Sequence, residues 1–422
     1  MPPAPTTRTA RDPGVLAADP PLLDAVRDRL AEASHPPTPA DVARALAQVA
    51  GPLPAADQEA ARRAVTAELL GAGPLEALLS DPGVTDVLVN GPALVWVDRG
   101  SGLERTEVRF TGEEAVRRLA TRLAAAAGRR LDAAAPFADA RLPDGTRLHA
   151  VLAPVAADGT CLSLRRPRRV PLTLAECADG QDAALPGVLR ALVAGRLAVV
   201  VTGGTGTGKT TLLAALLGCV HPAERVVIVE DTSELVVPRD NLVRLQGRPA
   251  NIEGAGAITQ RDLVRQALRM RPDRLVVGEV RGPEVLDLLV AFNTGHDGGM
   301  TTLHANAAGA LPARMEALGA LAGLSREAVH SQLAAAVQVT VHLRRDNTGR
   351  RAVATIGVLR QDSDGLVRVR PALVAAPAVH PAAGREPGGS PGALLPADDL
   401  AALRGLLRDR GVVLPPPFGA RP

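Results

Sequence analysis

Gly203, Gly204, Thr205, Gly206, Thr207, Gly208, Lys209 and Thr210 keep the spacing GxxxxGK[ST]. They stand between an apolar run, LAVVV, and a stretch of helical periodicity, TLLAALLG. A glycine-rich turn in that position lets successive backbone N–H groups converge on phosphate oxygens, and the helix that follows adds the positive end of its dipole. The Lys209 ammonium can then reach β and γ phosphates, the Thr210 hydroxyl can ligate magnesium, and Thr211 lies beside both. A strand-to-helix turn that merely resembles a phosphate loop is the alternative, and the correct flanks on both sides disfavour it. The chemistry implied is binding of a nucleoside triphosphate together with Mg2+.

Three further clusters follow the loop. RVVIVEDTSEL ends an apolar run with Glu230 and Asp231 and brings Glu234 one turn later. Ligands of open α/β sheets bind at the carboxyl ends of strands, so these acids are candidates for work at a phosphate; standing alone they could equally cap the next element. In DRLVVGEVRG, Gly278 occupies the place where a P-loop hydrolase usually carries an Asp, and Glu279 comes next. A carboxylate there can orient or deprotonate water, or hold Mg2+ through its water shell, so Asp231 and Glu279 join Thr210 as candidate metal-holding groups. NTGHDGGMTTLHANAA places His296 and His304 eight residues apart, which is not the i, i+4 spacing of a helical metal pair, and no cysteine is near. The residues alone favour ordinary turn and strand histidines over a nucleotide-sensing pair.

The runs that must carry these groups, LAVVVTGG, RVVIVED and DRLVVGEV, are continuously apolar, as in a parallel sheet covered on both faces. They begin after Pro171, and 171–375 reads as one α/β domain. Before it, VTDVLVNG, LVWVDRG and TEVRF are short strand-like runs separated by turn signals. A helical stretch at 112–127 and the alternating RLPDGTRLHAV and GTCLSLRRP complete an α+β domain over 65–170. Apolar residues recur every three or four positions over 21–64, a helical extension. The Pro-rich residues 1–20 and the Pro/Gly-rich 376–422 read as flexible tails, the second with a short helix in DDLAALRGLLRDR.

Composition excludes several classes. The net charge of +3 is spread along the chain, Trp96 is the one tryptophan and tyrosine is absent, so neither a basic patch nor a base-stacking surface for nucleic acid is expected. Cys161, Cys177 and Cys219 are too widely spaced for a zinc ribbon and odd in number, which fits reduced thiols of a cytoplasmic protein. No apolar run approaches the roughly 18 residues that cross a bilayer, so membrane association is expected through partners.

Taken in order, the phosphate loop, EDTSEL, GEVRG and TGHDGGMTTLHAN resemble the type II/type IV secretion ATPase superfamily over about 65–370. VTDVLVNGP, GRRLDAAAPFADARLPDGTRLHAV and GEVRGPEVLDLLVAFNTGHDGGMTTLHAN look most like its tight-adherence (Flp) pilus and conjugal-transfer-associated branch. The resemblance implies an α/β chain: a PAS-like N-terminal α+β domain, then a RecA-like P-loop NTPase domain with a mainly parallel central sheet. It implies a cytoplasmic homohexamer at the inner face of the membrane, bound to platform proteins and using ATP and Mg2+ to assemble a pilus or drive secretion. By the same resemblance Glu279, Glu234 and Glu230 are catalytic, His296 and His304 sense the γ phosphate, and Arg141, Arg147 and Arg165 reach the phosphates from the N-terminal domain. The tetracysteine zinc module of type II secretion and pilus-extension relatives has no counterpart here. A conjugation or effector-export motor is the nearest rival, and a nucleotide-switched regulatory protein is the rival from another class. A nucleic-acid-stimulated helicase is disfavoured by the dispersed charge and scarce aromatics.

Overall fold

The change of hydrophobic rhythm near Pro171 coincides with a change of architecture. A computed structural model describes residues 20–419, apart from 33, 34, 36, 51–54, 101, 167–170, 249–254, 346–348 and 377–391. The chain divides into two compact units, one ending at Pro167 and one starting at Arg168. The N-terminal stretch expected as a tail lies, but for Pro20, outside the described residues.

In the first unit the helices Pro20–Ala31, Pro39–Ala50 and Ala55–Leu69 bury Val26, Val42, Leu46, Ala61 and Val65 against one another. They are followed by an antiparallel sheet of β1 (Asp86–Asn90), β2 (Val95–Asp98), β3 (Leu103–Arg105), β4 (Phe137–Arg141), β5 (Arg147–Val151) and β6 (Cys161–Arg165). Its order is β3-β2-β1-β6-β5-β4. Strand alternation turns Val87, Val89, Val95, Val97, Leu148 and Leu162 to one face, where helix Glu113–Ala126 covers them with Val116, Leu119 and Leu123. TEVRF is not a strand: the third strand is the preceding Leu-Glu-Arg, because the Thr106 and Phe110 N–H groups are taken by the carbonyls of Val95 and Pro92.

The second unit holds a nine-stranded sheet of β7 (Val199–Gly203), β8 (Val226–Glu230), β9 (Leu242–Gln246), β10 (Arg274–Val277), β11 (Met300–His304), β12 (Val339–Arg345), β13 (Arg351–Gln361), β14 (Val367–Ala375) and β15 (Leu394–Pro396). The order is β15-β14-β13-β12-β7-β11-β10-β8-β9. Neighbours from β12 to β9 run parallel, and β13, β14 and β15 extend the edge in antiparallel pairs. Every residue of β7, β8 and β10 is buried. Val199, Val201, Ile228 and Val276 pack with helices Leu185–Ala194 and Lys209–Leu217 on one face. Val200, Val227, Val229 and Leu275 pack with helices Gln260–Ala267, Glu284–Asn293, Leu311–Leu321 and Arg326–Ala336 on the other. The α/β class and the mainly parallel sheet are therefore as the apolar runs require.

The last segment departs from its expected tail character. Residues 377–391 lie outside the described residues, but β15 pairs with β14, and helix Leu400–Arg408 buries Leu400, Leu403 and Leu407 in the sheet's core with Leu414 and Phe418. Helix Leu185–Ala194 and the residue after it make room with glycine: a Cβ on Gly187 would lie 2.9 Å from Pro415 Cγ, and one on Gly195 2.8 Å from Leu407 Cδ2. Proline and glycine between the apolar anchors gave the segment its tail-like composition. Leu403→Ala is expected to cost about 2–5 kcal/mol of the second unit's stability in denaturant unfolding, whereas Val413→Ala, at an exposed position, leaves it within about 0.5 kcal/mol.

Candidate active site

The loop after β7 is shaped by three glycines. Gly206 and Gly208 have φ of +72° and +93°, a region that side-chain-bearing residues avoid. A Cβ on Gly203 would meet Thr207 Oγ1 at 2.6 Å and the Leu343 carbonyl of β12 at 2.7 Å. Thr207 Oγ1 donates to the Gly204 carbonyl at 2.9 Å, closing the turn, and Lys209 opens the helix that follows. The buried Lys209 Nζ donates to the carbonyls of Gly203 (3.1 Å) and Gly204 (2.8 Å). Burial lowers its pKa, and the Glu279 charge opposes that shift.

Parallel pairing brings the other groups to this edge. Register sets His304 of β11 beside Gly203 of β7, and Val277 of β10 beside Val229 of β8. Glu279 and Asp231 thus leave adjacent strands on the side of the loop. His304 lies 3.3 Å from Lys209 Nζ through Nδ1 and 2.8 Å from Glu279 Oε1 through Nε2. The second approach is an ion-pair distance without hydrogen-bond direction, since Glu279 Oε1 is buried and accepts no hydrogen bond among the described residues. Burial, then the Lys209 cation, hold the His304 pKa below the usual imidazole value against the pull of Glu279. Arg281 Nη2 donates to the other oxygen, Glu279 Oε2, at 2.5 Å.

The acids of the β8 edge divide the work. Glu230 Oε1 accepts from the N–H groups of Glu234 (2.9 Å) and Leu235 (3.0 Å), so its carboxylate fixes the EDTSEL turn. Its burial raises the pKa, and these two hydrogen bonds oppose the rise. The same side chain explains the missing aspartate, because a Cβ on Gly278 would lie 2.7 Å from Glu230 Cγ. Asp231 and Glu234 remain exposed at the edge. Gln260, buried at the start of its helix, joins the two acidic strand ends: with its amide oriented to satisfy both atoms, it donates to the Glu279 carbonyl (3.2 Å) and accepts from the Asp231 N–H (3.1 Å).

The structure does not bring His296 to this place. His304 ends β11 at the loop, while His296 precedes the first residue of that strand and donates from Nδ1 to the Ala291 carbonyl at 3.1 Å. Eight residues comprise a turn and then a whole strand, so the two rings sit at opposite edges of the sheet. Arg141, Arg147 and Arg165 belong to the first unit, where they pair directly across β4, β5 and β6 in one row. Arg165 Nε also bonds Asp86 Oδ1 at 2.9 Å. Arg281 and Gln260 were missed as site residues: Arg281 stands in plain view in GEVRG, whereas Gln260 carries no local signal.

Thr210 in the first turn of the helix, Asp231 and Glu279 offer the hard oxygen donors that Mg2+ takes, and the unbonded Glu279 Oε1 is the atom that such a group would complete. Among the described residues no three His, Cys, Asp or Glu side chains converge as a ready-made metal cage. Mg2+ keeps most of its water and binds one or two carboxylates with phosphate, so the donor set fits it. Gly278→Ala is expected to lose about 1–3 kcal/mol in thermal or denaturant unfolding, and this penalty should vanish in a Glu230→Ala background. Gln260→Leu should cost a similar amount, about 1–3 kcal/mol, by leaving the Asp231 N–H and Glu279 carbonyl unpaired.

Known proteins are similar to this chain. The family described as "Type II/IV secretion system protein" matches residues 68–370. A putative conjugal transfer protein of Mycobacterium tuberculosis is 55% identical over 356 residues, 82% of this chain and 96% of that protein. The probable conjugal transfer protein TrbB of Sinorhizobium fredii is 33% identical over 67% of this chain and 85% of its own length. The type IV secretion system protein PtlH of Bordetella pertussis is 35% identical over 56% of this chain and 76% of its own. With its phosphate loop, acidic edge and family match spanning both units, the chain belongs to the type II/IV secretion system protein family.

Proposed function

We propose that this protein is an ATP-hydrolysing motor that works as a homohexameric ring on inner-membrane platform proteins, powering a tight-adherence pilus or a related secretion apparatus. The observation that carries the reading is the meeting of Lys209, His304 and Glu279 at the phosphate loop, with one oxygen of Glu279 buried and unbonded. Lys209 would leave the Gly203 and Gly204 carbonyls for the β and γ phosphates. Bound Mg2+ would supply charge neutralisation between the phosphates. Glu279 is the group placed to accept a proton from the attacking water, and His304, neutral beside Lys209, can donate to or accept from a γ-phosphate oxygen without adding charge. Asp231 and Glu234 complete the acidic side, with Glu230 and Gln260 holding their backbone.

In this reading the row Arg141, Arg147 and Arg165 meets the phosphates of a ring site; three cations in register on neighbouring strands suit a polyanion. A second reading, a motor for conjugal DNA or effector transfer, is favoured by the names of the relatives above. No described helix is long and apolar enough to cross a membrane, and docking through partners is part of the proposal.

Lys209→Ala should abolish binding of a fluorescent ATP analogue. Glu279→Gln should retain that binding and lose about 10²–10⁴-fold in phosphate release. Normal turnover by the Glu279→Gln protein would overturn the role given to Glu279, and a wild type without turnover that stays monomeric in light scattering with ATP would overturn the motor and leave a nucleotide switch. Deletion of the gene separates the two cargoes: loss of surface fibres supports pilus assembly, and loss of DNA transfer with fibres intact supports conjugation.

A further inference from the structure

Arg281 is the one charged neighbour of Glu279 that the proposed chemistry leaves without work. Its backbone is fixed, because Glu284 Oε1 accepts from the N–H groups of Arg281 (2.7 Å) and Gly282 (2.8 Å) at the start of helix Glu284–Asn293. Its side chain faces solvent: it is 58% exposed, against 20% for Glu279. The hydrogen bond to Glu279 comes first among the causes that raise the Arg281 pKa, followed among the charges by Glu279, Asp231 and Glu234. Three carboxylates thus look onto one exposed cation at the strand ends beside the phosphate loop.

A guanidinium and a divalent metal both seek the negative charge of a carboxylate, so a carboxylate neutralised by one binds the other less tightly. Glu279 Oε2 is engaged by Arg281, while Oε1 is buried without a hydrogen bond. Resting on the ATPase reading above, we propose that Arg281 is a built-in counter-ion that competes with the divalent metal for Glu279. The guanidinium neutralises Glu279 through Oε2 and lowers its attraction for a metal at Oε1, until metal and nucleotide displace it. Arg281 is then a positioning residue: it touches Glu279, not the reacting atoms. Its exposure makes the exchange cheap, since a solvent-facing guanidinium keeps its hydration when it swings away. Fixing the backbone through Glu284 confines the exchange to the side chain, so the acidic edge is not disturbed.

The test measures binding of Mn2+, a paramagnetic probe for Mg2+ sites, to the full-length protein saturated with ADP, by electron paramagnetic resonance. Arg281→Gln should bind Mn2+ more tightly, with the dissociation constant lowered on the order of tenfold. Arg281→Lys, which keeps the charge, should stay near wild type. A merely structural arginine would weaken metal binding in both variants. Unchanged or weaker Mn2+ binding by Arg281→Gln overturns the proposal. If Lys209→Ala binds ADP as tightly as wild type, the nucleotide-site reading itself falls, and the two failures are thereby told apart.

Discussion

The packing of the Glu230 side chain under Gly278 is the contact on which the acidic edge depends. Two parallel strands end side by side, and only one of them can send a side chain into the space between their tips. Glu230 takes it, and its carboxylate reaches forward to hold the Glu234 and Leu235 N–H groups. A glycine must therefore follow Val277, and the working carboxylate moves one residue on, to Glu279. Thr302 of β11 locks the same point from the other side by donating to the Gly278 carbonyl at 2.8 Å. The atypical strand is the consequence of a steric exchange: the acid expected at Gly278 has been replaced by one arriving from the neighbouring strand.

Electrostatics then sets how the edge behaves. His304 stands between a lysine and a glutamate, 3.3 Å from Lys209 Nζ and 2.8 Å from Glu279 Oε1. Burial, and then Lys209, hold the His304 pKa low, and the Glu279 charge offsets part of the burial cost of Lys209. An unmatched carboxylate would be costly here, which is why Glu279 has Arg281 on one oxygen. The arginine is the most exposed member of the arrangement. On the proposed function, a site that accepts polyphosphate and metal in every cycle needs charges that can change partners without unfolding the strands that bear them.

How much of this was legible in sequence follows from the range of each interaction. The phosphate loop depends on local backbone shape and on residues adjacent in the chain, so its spacing and flanks suffice. The parallel strands were legible because burial on both faces leaves continuous apolar runs such as VVIV. Gln260 was not, because its two partners are brought to it by β8 and β10 and a buried glutamine has no periodic signature. Glu230 was seen as an acid of the right place, but whether it faces phosphate or its own backbone depends on the neighbouring Gly278. Beyond 391 the helix in DDLAALRGLLRDR was legible from its leucine spacing, whereas the docking of the rest was hidden by proline and glycine and is decided by Leu394, Leu414 and Phe418.

His296 and His304 show how one motif can serve two places. After Glu279 the chain turns at Gly282, runs the length of helix Glu284–Asn293, turns through His296 to Gly299, and returns along β11 to His304. Each corner is fixed: Glu284 caps the first, and His296 bonds the Ala291 carbonyl at the second. At the second corner a Cβ on Gly298 would lie 2.6 Å from Nη1 of Arg274, the buried arginine that pairs with Glu224. The helix and the strand are therefore two sides of one closed element whose ends carry Glu279 and His304. Gly298 of TGHDGG is what lets that corner approach Arg274, so the motif's first half shapes the turn and its second half carries His304 along β11 to the phosphate loop.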